Sequence, residues 1–167
     1  QYIRILEIIK VGSGSSRSHT MGPWNAAEYF LDKIRRERNI QDVSEINVEF
    51  FGSLAKTGIG HGTDIAGMLG LSGENFKIID TKKIDEKVAA IKDSNTINLG
   101  GEKILPFVYG ENLILNREKS LDFHPNGMIF KAVFANGETL SQDYYSVGGG
   151  FVATKEENAL EETCIRT

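Results

Sequence analysis

The stretch Met128-Ile129-Phe130-Lys131-Ala132-Val133-Phe134-Ala135-Asn136-Gly137 reads as a strand running into a hairpin turn. Asn136-Gly137 is the strongest hairpin signal in the chain, because the favoured two-residue turn needs positive φ at both central positions. Further strands are expected around it, at Ile104 to Tyr109, Leu113 to Leu115 and Tyr144 to Val152. Upstream, Ile46, Val48 and Phe50 alternate with Asn47 and Glu49, the pattern of a half-buried strand that delivers the chain into Gly52-Ser53. Phe76 to Ile79 reads as one more brief strand.

Helical spacing fills the rest. Residues 2 to 11 read as a short helix that runs into the turn Gly12-Ser13-Gly14-Ser15-Ser16. Thr20 then stands as the cap of a second helix with Pro23 in its first turn, and Trp24, Ala27, Leu31 and Ile34 form one buried stripe that ends near Asn39. Asp64 to Leu71 is a short helix capped by Thr63 or Asp64. Ile84, Val88 and Ile91 mark an amphipathic helix that stops around Asp93-Ser94-Asn95. The sum is an α+β domain over residues 1–154, with a mixed or antiparallel sheet, helices covering one face, and Trp24, Phe30, Phe50, Phe130 and Phe134 in the core. Residues 155–167 are polar and acidic and read as a linker or C-terminal tail, and a chain that starts at Gln1 is expected to be a piece of something longer.

A length of 167 residues with 40% hydrophobic and 25% charged residues suits one domain with its own core. The net charge of -4 excludes a general nucleic-acid binder, which needs a basic surplus on one face. Lys33, Arg35, Arg36 and Arg38 are the local exception, and their place late in a helix reads as a solvated, dipole-complementing face. No apolar run is long enough to span a bilayer and the start has no secretory organisation, so a cytoplasmic location is expected. The single cysteine, Cys164, can hold neither a disulfide nor a cluster alone, and reads as an incidental tail residue.

Chemistry is expected where the three histidines lie, in Ser18-His19-Thr20, Gly60-His61-Gly62 and Phe123-His124-Pro125, all read as turns. The glycine- and serine-rich segment before His19 can hold an anion on its amides, although no P-loop lysine is present. Asp64 can orient the ring of His61 or simply cap its helix. Gly148-Gly149-Gly150 suggests close approach of a ligand or another backbone, with a flexible hinge as the alternative. Three converging imidazoles would also make a metal site.

Four segments together, Ser18-His19-Thr20-Met21-Gly22-Pro23, Gly52-Ser53-Leu54-Ala55 with Gly60-His61-Gly62-Thr63-Asp64, Asp122-Phe123-His124-Pro125-Asn126-Gly127-Met128, and Tyr144 to Phe151, resemble the beta domain, or beta chain, of the bacterial iron-sulfur L-serine dehydratases. The order is the family's and nearly the whole chain is covered. One departure stands out: Ser15 replaces a proline usual in the family, and Arg17 interrupts its run of serines.

The resemblance implies deamination of L-serine to pyruvate and ammonia, with a 4Fe-4S cluster whose ligands lie in an alpha domain and not in this chain. It also implies a homodimer, and a fold similar to the allosteric substrate-binding domain of some phosphoglycerate dehydrogenases. In that setting His61 is expected as base or orienter, with His19 and His124 completing a polar wall. Ser16, Ser18, Thr63, Asp64, Asn126 and Gly149 are expected around the substrate, and no metal ligand is expected in this chain. An alternative expectation is a regulatory, amino-acid-binding and dimerising module with no direct catalytic role.

Overall fold

The computed structural model describes residues 14–58 and 62–156, with the backbone alone at residues 14–18. The expected helix at residues 2 to 11, His61 and most of the 155–167 segment lie outside the described residues. Strand β1 (Val43–Phe51) buries Ile46, Val48 and Phe50 and leaves Glu45 exposed and Asn47 and Glu49 half-buried, as its alternation requires. It pairs antiparallel with β5 (Gly127–Phe134) on one side and parallel with β4 (Leu113–Asn116) on the other. β5 turns at Asn136-Gly137 into β6 (Thr139–Gly148), and β7 (Phe151–Ala153) closes the edge, giving a mixed sheet ordered β4-β1-β5-β6-β7. At the β5–β6 turn, Gly137 has φ +85° and the Asn136 side chain accepts the amide of Glu138 at 3.0 Å.

Helix α1 (Gly14–Glu37) lies on the face carrying Phe50, Met128, Phe130 and Tyr144, with Trp24, Ala27, Phe30, Leu31 and Ile34 buried against them. Phe30 and Phe130 pack at 5.6 Å between ring centroids, and Phe50 meets Phe130 edge-on at 6.5 Å. After β1 come the single-turn α2 (Gly52–Lys56) and α3 (Thr63–Leu71), which packs along α1. Helix α4 (Ile84–Ser94) buries Ile84, Val88 and Ile91 and ends at Asn95 in the left-handed region, φ +52°. It leads into a two-stranded ribbon of β2 (Thr96–Leu99) and β3 (Lys103–Pro106).

Four expectations change. Gly14, Ser15 and Ser16 begin α1 instead of forming a turn, so Thr20 and Pro23 are inside the helix and not at its start. Phe76 to Ile79 is not a strand: the amides of Ile78 and Ile79 bond to the carbonyl of Asn75, whose side chain takes Lys77 N–H, so three of its four amides close a turn instead of joining a ladder. Strand β2 was not foreseen, although Gly100-Gly101 between it and β3 is a hairpin signal. Tyr144 to Val152 is two strands split at Gly149-Gly150.

Three of the four residues of the basic cluster make surface pairs. Lys33 meets Glu37 at 3.1 Å, Arg35 meets Glu102 at 2.9 Å, and Arg38 meets Glu138. Among the described residues no helix is long and apolar enough to cross a membrane.

Candidate functional site

Of the two described histidines, His19 is the one that departs from expectation. It sits in the second turn of α1, 7% exposed, rather than in a loop. Its surroundings follow from Pro23, four residues on. Proline has no N–H, so the His19 carbonyl loses its helical donor at that point. Thr63, the first residue of α3, supplies the missing hydrogen: its hydroxyl donates to His19 O at 2.7 Å in a buried contact. A proline that would weaken an isolated helix thereby ties α1 to α3 beside a buried imidazole.

The His19 ring reaches the opposite way. Its Nε2 lies 3.1 Å from Ser53 Oγ in the first turn of α2. Ser53 N–H donates to Pro125 O at 3.1 Å, and the preceding Gly52 N–H to Lys119 O at 2.8 Å. Gly52 has φ +53°, and a Cβ there would collide with Pro125 O, so no other residue fits this junction. From Pro125 the connection continues through Asn126, whose amide nitrogen Nδ2 donates to Ser146 O at 3.2 Å while Ser146 N–H donates to Asn126 O at 3.0 Å. Ser146 faces Gly22 of α1 so closely that a Cβ on Gly22 would overlap its Oγ. Asn25 then donates to Gly150 O at 2.8 Å.

The circuit is closed. All four segments singled out in the sequence meet at one end of the sheet, each touching the next. The loop bearing His124 joins it with a defined tautomer: Nδ1 accepts the Asn126 N–H at 3.0 Å, so the neutral ring carries its hydrogen on Nε2. Gly148, Gly149 and Gly150 take φ of +120°, +63° and +88°, which explains the glycine run by backbone geometry, and Gly150 also backs onto Met21 and Asn25.

Asp64 is 5% exposed, accepts the Tyr109 hydroxyl at 2.7 Å on Oδ2 and the Ile65 N–H at 2.9 Å on Oδ1. Burial, and then the bond to Asp64, raise the Tyr109 pKa well above its ordinary value. Ser16 falls in the first turn of α1, whose amides have no intrahelical partner, whereas Ser18 has entered the ladder. The described ends of the His61 segment, Gly58 and Gly62, adjoin the same region, since Gly58 packs on Thr63 and Gly62 caps α3 with φ +75°. A separate cavity of about 1020 Å³ beside the C-terminal half of α1, bordered by Tyr29, Arg36, Gln142 and Tyr144, includes none of the expected site residues.

Among the described residues no three His, Cys, Asp or Glu side chains are grouped as metal ligands. Ser53 was missed as a site residue, although it stands in the quoted Gly52-Ser53 junction directly after a strand. The feature that marks it, its contact with residue 19, is not local in sequence.

Residues 4–157 match the family model described as serine dehydratase beta chain. The chain belongs to that family. It is 41% identical to an L-serine dehydratase of Streptomyces coelicolor, over 92% of this chain and 34% of that protein. Identity is 37% to the Haemophilus influenzae L-serine dehydratase, over 96% of this chain and 35% of the relative. For Escherichia coli L-serine dehydratase TdcG it is 36%, over 95% and 35%. The serine dehydratase beta chain thus spans about a third of the length of the curated relatives it matches.

Proposed function

We propose that this beta chain works with a cluster-bearing alpha part to deaminate L-serine to pyruvate and ammonia, contributing imidazoles to a centre that it does not itself anchor. The observation that carries this reading is the closed circuit joining His19, Ser53, Pro125-Asn126 and Ser146. Four segments far apart in sequence are fixed into one surface, which is what a catalytic wall requires. A 4Fe-4S cluster is held by several cysteines and this chain carries one, Cys164, so the ligands are assigned to the alpha part.

Loss of water from serine needs a base for the weakly acidic α-proton and donors that hold the carboxylate. With its Nδ1 lone pair engaged by Asn126 N–H, His124 acts through Nε2–H as a hydrogen-bond donor. His19, buried and tied at its carbonyl and at Nε2, shapes the wall. His61 is assigned the base. Ser16, Ser18, Asn126 and Gly149 border the substrate, with Thr63 and Asp64 supporting them through His19 O and Tyr109.

The test is a pyruvate assay on the whole protein, prepared anaerobically, with L-serine as substrate. His61→Ala is expected to lower turnover by about 10²- to 10⁴-fold, the usual worth of a placed general base. The 167-residue chain alone is expected to make no pyruvate. Full turnover in His61→Ala removes the assignment, and saturable heat on titrating the lone chain with L-serine favours the regulatory reading instead.

A further inference from the structure

We propose that Ser53 is a positioning residue that sets the ring of His19 against the His124 loop. The inference rests on the reading that His19 belongs to the catalytic wall, but its physical core is independent of that reading. Every polar group of Ser53 is engaged, and each points to a different part of the fold. Its Oγ lies 3.1 Å from His19 Nε2, its N–H donates to Pro125 O, and its carbonyl accepts both the N–H and the hydroxyl of Thr57 at 3.2 and 2.8 Å. One residue therefore contacts α1 through its side chain and the loop of His124 through its backbone.

The place is rigid on both sides. Gly52 holds a left-handed φ, and α2 follows immediately, so Ser53 cannot shift without breaking the turn that presents it. The His19 carbonyl is held by Thr63, so what Ser53 can set is rotation of the ring. A hydroxyl on Nε2 restrains that rotation and biases which nitrogen carries the hydrogen, and hence what Nδ1 can offer. A serine serving only as the start of a helix would bond to amides of its own turn. Here the hydroxyl is turned to an imidazole 34 residues away.

Ring ¹⁵N resonances of the histidine-labelled chain give the direct test, because they report tautomer and titration separately from folding. Ser53→Ala is expected to alter the His19 tautomer ratio, with the His124 signals unchanged. Ser53→Thr, which keeps the hydroxyl, is expected to restore the His19 signals. In the whole protein Ser53→Ala should lower kcat about ten-fold with little change in KM, as expected of a misplaced group.

Unchanged His19 signals in Ser53→Ala overturn the proposal, as does a Thr variant that behaves like Ala. If Ala does not fold, Ser53→Cys makes the same comparison, being similar in shape with a much weaker hydrogen-bonding group. Absence of any pyruvate from the unaltered whole protein counts against the proposed function alone, since the ring signals still judge the Ser53 link.

Discussion

Pro23 shows how a single residue misleads a local reading. Its fixed φ and missing N–H suit the first turn of a helix, which is why the start of α1 was expected near Thr20. The compensation comes from Thr63, forty positions away, and nothing near Pro23 announces it. Thr63→Val is expected to cost about 1–3 kcal/mol by removing the buried hydroxyl that donates to the His19 carbonyl, measured as a fall in denaturant midpoint at unchanged slope. Tyr109 supplies a pH signature. Burial and its bond to Asp64 raise its pKa above the ordinary 10.0, so on passing about pH 10 the unfolded chain releases a proton that the folded chain keeps. The unfolded state then binds fewer protons, and stability falls as pH rises further, while below that point this group adds no pH dependence. Tyr109→Phe is expected to flatten that alkaline fall and to cost about 1–2 kcal/mol near neutrality, because Asp64 loses a buried donor. Denaturation midpoints of both proteins, taken near neutral pH and above pH 10, check both halves.

Elements with a strong period of their own were legible. The stripe Trp24, Ala27, Leu31, Ile34 is buried as read, and so is the alternation of Ile46, Val48 and Phe50. Asn136-Gly137 joins β5 to β6 because the turn's chemistry is wholly local. What was not legible is whatever depends on a distant partner. The parallel pairing of β4 with β1 leaves no mark within Leu113–Asn116, and the split of β6 from β7 depends on three consecutive positive φ values that a glycine run permits without demanding. Contact between elements makes Gly22 a sharp test. Any Cβ there overlaps Ser146 Oγ, so Gly22→Ala is expected to push α1 off β6 at a cost of about 1–3 kcal/mol, visible as a lowered Tm. The same variant should weaken hydrogen-exchange protection of the Ser146 amide, which donates to Asn126 O.

For the molecule as a whole, fold class was readable from composition and period, but the gathering of the site was not. The quoted motifs showed that four segments carry unusual residues. Only the sheet order, with β1 beside β5 and β5 beside β6, brings Ser53, Asn126 and Ser146 to one end, where α1 lays His19 across them. His19 itself was read as a loop residue because Gly12 to Ser16 has the composition of a turn, whereas the helix already includes Gly14. The cavity beside the C-terminal half of α1 borders none of these residues.

The circuit that closes on Ser146 has a consequence for biosynthesis. Translation delivers His19 well over a hundred residues before Ser146, so the nascent polypeptide carries that imidazole for a long stretch of elongation with no assembled surface to present it. That surface assembles only once β6 has left the ribosome and docked, and a product released before Thr139 retains His19, Ser53 and His124 without the strand that closes the circuit around them.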